Sequence, residues 1–272
     1  MTSPGPRAEV IGDPIAHSKS PLIHGFWLDR LGLPGSYRAV HVPAGELASY
    51  FADRRDDRGW RGCNITVPHK EAALSFVEDR AGVRRSIGAI NLAFRADDGA
   101  IVGANTDSGG FAAPLAGIDL AGATVAVVGA GGAARAVLHA LAGIGVGEVV
   151  VLNRSPLRAA ALIEAFGLRG RALPLAAQLP PARLLVNAST LGMVGQPPLP
   201  LDLAPLPQGA TVYDLVYAPL ETPLLAAARA RGLEAIDGLD MLIGQAALAF
   251  ETLFGAAPPR AADGELRALL AR

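Results

Sequence analysis

The chain has 272 residues, 51% of them apolar, and carries 24 basic against 25 acidic side chains. That length admits one large domain or two of ordinary size, and the balanced charge, with no basic tract, argues against nucleic acid as a partner. The opening "MTSPGPRAEVIGDP" lacks the charged and apolar regions of a signal peptide, and Gly, Pro, Arg or His interrupts every long apolar run, so no membrane span is expected.

From residue 8 onward, short apolar runs alternate with helical patterns. "AEVIG" reads as a strand, "SPLIHGFWLDRLG" as a helix, "YRAVHV" as a strand and "GELASYFADRRD" as a helix. "GCNITV" is the next strand, and a helix is expected from about His69 to Glu78. "GAINLAFR" and "GAIVGAN" resemble an antiparallel pair joined through Asp97, Asp98 and Gly99. The single cysteine, Cys63, cannot form an intramolecular disulfide, which fits a reducing, cytoplasmic compartment. It has no His or Cys at ligand spacing, so it is read as a buried structural thiol, and no metal is expected.

A second unit follows. "ATVAVVGAGGAARAVLHALAGIG" is strand, glycine turn and helix, and "GEVVVLNRS" is the next strand. A helix at "PLRAAALIEAFG", strands at "ARLLVNAS" and "ATVYDLVY", and a helix at "TPLLAAARARG" continue the alternation. Strands alternating with helices predict a parallel sheet covered on both faces. After "EAIDG" come two more helices, "MLIGQAALAFETLFG" and "GELRALLAR".

The glycine turn carries chemistry. Gly129, Gly131 and Gly132, with Ala130 and Ala133, sit where an apolar strand ends and a helix opens. The first glycine permits the tight turn, the second lets the backbone approach a pyrophosphate, and the helix N-terminus offers unpaired N–H groups. Ala134 stands where the fingerprint takes a small residue for close helix–strand packing. The following strand ends in Asn153, Arg154 and Ser155, with Arg158 beyond, where an NAD site usually has a carboxylate. An arginine there is either a solvated loop residue or the planar donor fork that binds a 2′-phosphate. Its position favours NADP.

The other polar residues cluster mostly in the first unit. Ser18 and Ser20 straddle Lys19 before a helix, where they read either as caps or as hydroxyls holding a carboxylate or polyhydroxy ligand. "NITVPHK" adds Asn64, Thr66 and Lys70, "GAIN" adds Asn91, and "GANTDSGG" adds Asn105, Thr106 and Asp107. Asn and Asp before glycine also form turns. Reducing a carbonyl with a nicotinamide needs a proton donor at the oxygen, and a desolvated lysine beside a carboxylate can be one. Lys70 and Asp107 both end segments expected to face a cleft between the two units, where ligands tend to bind.

The motifs "GDPIAHSKSPLIH", "NITVPHK", "GAIN", "NTD", "GAGGAARA", "NRS", "YDLVYAPLETPLL" and "GLDMLIGQAALAFE" occur in the order seen in shikimate dehydrogenases, and the chain resembles that family from about residue 10 to residue 255. The resemblance implies an NADP-dependent oxidoreductase interconverting 3-dehydroshikimate and shikimate in aromatic amino-acid biosynthesis. It implies Lys70 as catalytic acid/base paired with Asp107. Ser18 and Ser20 would hold the substrate carboxylate with Tyr217 nearby, and Thr66, Asn91, Asp107 and Gln245 the hydroxyls. On the cofactor side it carries over Gly129 to Ala133, Asn153, Arg154, Ser155, Arg158 and Gly238, with Leu215 beside the nicotinamide. Three positions depart from the family pattern: Leu92 in place of Thr, Gly25 in place of Asn, and Asp240 in place of Gly.

The implied fold is α/β: a substrate domain over 1–107 completed by 240–272, and a Rossmann-like, doubly wound NADP domain over 108–239. The partner is the small-molecule substrate, and monomer and homodimer both stay open. A quinate/shikimate dehydrogenase using NAD or NADP, and a silent dinucleotide-binding regulator, are the rival readings. The second predicts loss of the Lys70 and Asp107 pair, and both residues are present.

Overall fold

The computed structural model describes residues 5–271 and contains two compact units. The first takes the chain up to Thr106 and again from Ile243 onward; the second is Asp107–Leu242.

The first unit is built on a five-stranded sheet in the order β2-β1-β3-β4-β5. β1 (Arg7–Gly12), β2 (Ser36–His41) and β3 (Trp60–Ile65) run parallel, linked by α1 (Ser20–Leu31) and α2 (Leu47–Asp56). β4 (Leu92–Arg95) and β5 (Ile101–Ala104) complete the sheet antiparallel, turning through Ala96 to Ala100 as the Asp-Asp-Gly segment predicts. Side chains alternate across a strand. Ile11, Cys63 and Ile65 therefore face one core with Phe51 and Trp60. Ala8 and Leu92 face the other, against Ala249 and Leu253 of α8 (Gly238–Phe254). Glu9 shares the first face, and its buried carboxylate is held by Tyr50 and Arg54 of α2 and by Arg38.

The helix expected from His69 to Glu78 does not form. A turn is followed by a 3-10 helix at Ala72–Phe76. Both ends of the segment are held elsewhere: the His69 amide closes a turn on Thr66 O, and Glu78 exchanges ladder bonds with Ile101 and Gly103 at the edge of β5. Those bonds compete directly with the helical ones. The short α3 (Val83–Ser86) follows, and α9 (Asp263–Leu270) ends the chain's last segment.

The second unit is a six-stranded parallel sheet in the order β11-β10-β9-β6-β7-β8. It opens with α4 (Asp107–Ala112), in a segment whose Asp and glycines read by themselves as turn and linker. β6 (Thr124–Val128), α5 (Gly132–Ile144), β7 (Glu148–Asn153), α6 (Pro156–Ala165) and β8 (Gly170–Pro174) wind one way. β9 (Leu184–Asn187), β10 (Thr211–Asp214), α7 (Pro223–Ala230) and β11 (Glu234–Ile236) wind back on the other side of β6, the doubly wound order with its switch between β6 and β9. Val125 and Val127 of β6 pack with Ala134, Val137, Leu138 and Leu141, one stripe of α5. Ala126 and Val128 face Leu224, Leu225 and Ala228 of α7. The second break between units falls inside α8, between Leu242 and Ile243, rather than at residue 239. No helix among the described residues is long and apolar enough to cross a membrane.

Candidate active site

In the first unit the sheet register gathers polar side chains at one end. Asn64 of β3 lies opposite Leu92 of β4, and Leu92 opposite Ala104 of β5. Thr66, Asn91 and Thr106, each just beyond a strand end, therefore share the end where β1 runs out toward Ser18. The carboxyl ends of parallel strands are where open α/β sheets bind ligands.

Ser18 Oγ accepts the Ser20 amide at 3.3 Å, and Ser20 is the first residue of α1, buried. The N-cap of α1 is Lys19, with no side-chain cap, so the cap reading is not met; a hydroxyl used as an acceptor, as Ser18 Oγ is, keeps its own proton to donate. Asn64 is fully engaged in structure: Tyr37 Oη donates to its Oδ1 at 2.7 Å, and its Nδ2 donates to Asn91 O at 3.2 Å. His69 is buried with Nε2 2.6 Å from Val42 O. A carbonyl can only accept, so Nε2 carries the proton and His69 is a fixed structural donor. Lys70 beside it is half-buried, and its carbonyl accepts the Ile90 amide, tying this loop to "GAIN".

Asn91 is the hub. Its Nδ2 donates to Thr106 Oγ1 at 2.8 Å and to Gln245 Oε1 at 3.1 Å, while its Oδ1 accepts the Thr106 amide at 2.7 Å. All three residues are buried, and together they bring three distant segments to one point. Sequence alone assigns Thr106 no role, though it sits in the "NTD" motif. Leu92, the departure after Asn91, is wholly buried in the apolar contact with α8. A Cβ at Gly25 would meet nothing within 4 Å, so that departure leaves open space.

In the second unit Gly129 has φ +107°, and a Cβ there would lie 2.9 Å from Ala188 O beyond β9. Only glycine meets both conditions. At Gly131 a Cβ would meet nothing within 4 Å, and no side chain caps α5 there, so the first-turn amides open onto room for a pyrophosphate. Ala130 is buried; Gly132 and Ala133 are half-buried in the same turn. At the end of β7, Asn153 Nδ2 donates to Ser155 O, and Ser155 Oγ caps α6 by accepting the Arg158 amide. Arg154 and Arg158 are exposed, and no carboxylate stands at this strand end. These features fit an NADP molecule.

Gly238 is required by packing, since a Cβ would fall 2.4 Å from Leu215 O. Leu215 is half-buried against the core, and Tyr217 is half-buried with its phenol pushed up by loss of water. Asp240 lies in the first turn of α8, where a helix favours an anion. Asp107, the first residue of α4, belongs to this unit and Lys70 to the other. Sequence reasoning missed one polar cluster: Asp214 at the end of β10 accepts from Asn187 Nδ2 at 2.9 Å and Thr222 Oγ1 at 2.7 Å, and Ser189 Oγ donates to Asn187 Oδ1 at 2.7 Å. Burial pushes the Asp214 carboxyl up. The signal available was a polar residue closing each of two adjacent apolar strands.

A parallel sheet with a glycine turn opening onto a helix N-terminus, joined in one chain to an α/β unit presenting hydroxyls, amides and a lysine, defines a two-domain dinucleotide-dependent oxidoreductase. Three family models match in succession: the shikimate dehydrogenase substrate binding domain over residues 10–93, shikimate / quinate 5-dehydrogenase over 112–179, and the shikimate 5'-dehydrogenase C-terminal domain over 238–263. The shikimate dehydrogenase (NADP(+)) of Sphingopyxis alaskensis is 65% identical over 97% of both chains. That of Methylobacterium radiotolerans is 51% identical over 95% of this chain and 94% of its own. Shikimate 5-dehydrogenase from Thermus thermophilus, solved in complex with NADP(H) and shikimate, superposes with a TM-score of 0.86 at 42% identity, covering 97% of this chain and 99% of that one. The chain belongs to the shikimate dehydrogenase family.

Proposed function

We propose that this chain catalyses the reversible NADPH-dependent reduction of 3-dehydroshikimate to shikimate, with Lys70 and Asp107 handling the proton. The observation that carries the reading is the Asn91–Thr106–Gln245 cluster, at the sheet end that also holds Thr66 and Lys70. Buried amides already oriented by one another present fixed donors and acceptors, which suits a ring bearing several hydroxyls.

NADPH, when bound, supplies the hydride that goes to the carbonyl carbon. Lys70 gives a proton to the carbonyl oxygen and takes it back in the reverse direction; Asp107 balances the ammonium and orients it. Ser18 and Ser20 hold the carboxylate with Tyr217 near it, and Thr66, Asn91 and Gln245 hold ring hydroxyls. On the cofactor side the amides opening α5 take the pyrophosphate, and Arg154 with Asn153, Ser155 and Arg158 takes the 2′-phosphate. Gly238 and Leu215 flank the nicotinamide. A cytoplasmic location, in a monomer or homodimer, belongs to the same proposal.

The test is a steady-state assay of shikimate and quinate, each with NADP and NAD. The expected result is turnover of shikimate with NADP well above the other three pairs. Comparable turnover of quinate makes the enzyme a quinate/shikimate dehydrogenase, and activity with none of the pairs removes the enzymatic reading.

A further inference from the structure

We propose that Lys19, between the two serines, is a positioning residue that ties the Ser18–Ser20 loop to the C-terminal helix α9, and that its ammonium serves this tether rather than the substrate carboxylate. The inference rests on reading Ser18 and Ser20 as the carboxylate-binding pair. A lysine flanked by two such serines invites the opposite expectation, that its charge meets the substrate. Its Nζ instead donates to the carbonyl of Leu270, the last residue of α9. The final carbonyls of a helix have no intrahelical partner and carry the negative end of its dipole, so a cation is favoured there.

The helix is a firm anchor. Leu266 and Leu270 are buried, and Arg30 of α1 pairs with Glu265 at its other end. The loop is therefore fixed at Lys19 and, through α1, once more. Ser18 Oγ also accepts the Ser20 amide, so immobilising Lys19 holds the Ser18 hydroxyl and the Ser20 backbone together. A loop ordered before binding loses less conformational freedom when the carboxylate arrives. The last helix of the chain, otherwise remote from the chemistry, thereby acquires a part in substrate affinity.

The test uses the full chain. Lys19→Ala is expected to raise the KM for shikimate by roughly tenfold, with kcat and the KM for NADP within about twofold of the parent, because only loop ordering is lost. Lys19→Arg, which keeps a cation of similar reach, is expected to restore the KM. In the absence of any ligand, backbone amide exchange over residues 266–271 is expected to accelerate in Lys19→Ala and not in Lys19→Arg. A raised KM with unchanged exchange in α9 overturns the proposal in favour of a lysine that meets substrate directly, and no change in either measurement overturns it outright. Exchange needs no substrate, so it decides the tether even where the assay removes the enzymatic reading. Ser18→Ala and Ser20→Ala with unaltered KM would remove the carboxylate assignment separately.

Discussion

The imidazole of His24 lies flat on the ring of Tyr37, with centroids 3.9 Å apart and planes within 3°. Trp27, Phe250 and Phe254 close the cage, and neither ring nitrogen meets a hydrogen-bond partner among the described residues. Burial pushes the imidazole down to about 3, from an ordinary value of 6.5. The native chain keeps His24 neutral where the unfolded chain protonates it. Stability is therefore complete above pH 6.5 and falls by about 1.4 kcal/mol per pH unit as the pH drops toward the native value. Glu9 enters only at lower pH: burial alone would raise its carboxyl, but hydrogen bonds from Arg54, Tyr50 and Arg38 hold it below 4.5. Urea unfolding at about pH 6.5 and about pH 5 should show a loss in the parent that is smaller in His24→Phe by roughly 1.5 kcal/mol. Equal losses would mean that His24 is charged in the native state.

Lys70→Ala should lower kcat by about two to four orders of magnitude, the usual worth of a general acid, while shikimate and NADP affinities stay within a few-fold. Single-turnover rates and equilibrium binding separate the two effects. A variant retaining most of its turnover returns Lys70 to an ordinary half-buried lysine.

Arg154→Ala should weaken NADP by roughly tenfold or more and leave NAD nearly unchanged, since a guanidinium–phosphate pair is charge-assisted and only one cofactor has the phosphate. Fluorescence titration with both cofactors reads the difference. Equal weakening would show that Arg154 does not meet the 2′-phosphate.

Asn91→Ala leaves the Thr106 amide without its buried acceptor and takes one of two donors from Gln245 Oε1, which keeps Thr106 Oγ1. A cost of about 1–3 kcal/mol in unfolding free energy is expected for such an orphaned group. Because the residues form one network, Asn91→Ala with Gln245→Ala should cost less than the sum of the two. Chemical denaturation of the four proteins completes the cycle, and strict additivity would separate Gln245 from the hub.

Much of the fold was legible because its strands are short, apolar and punctuated. "TVAVV" followed by "GAGG" announces a buried parallel strand, a glycine turn and a helix with no tertiary knowledge, and β6 and α5 lie there. Elements whose stability comes from elsewhere were not legible. β8 is an exposed edge strand containing proline, so it lacks an apolar pattern. α4 carries two glycines and a local propensity against helix, yet its Gly110 and Phe111 are buried. The 3-10 segment at Ala72–Phe76 has helical composition but is constrained by bonds at Thr66 and at the edge of β5.

The polar residues divide in the same way. Gln245 stands out as an amide in an apolar stripe, but its neighbour Thr106 is 139 positions away, and no local pattern marks them as partners. Asn187 and Asp214 close their strands in a guise indistinguishable from ordinary turn formers. Their coupling through one carboxylate becomes visible only when β9 and β10 lie side by side.

α8 also sets an order of assembly. The second unit is one unbroken stretch of chain, whereas the first leaves Ala8, Trp27 and Leu92 without their apolar partners until Ala249, Phe250 and Leu253 have been synthesised. On a ribosome, where domains fold as they emerge, the half of the protein made first must wait for the half made second. The amide hub at Asn91 closes only when Gln245 arrives. A chain broken off before that point carries an intact nucleotide sheet beside an apolar surface still open to water, the exposed state that chaperones and proteases recognise.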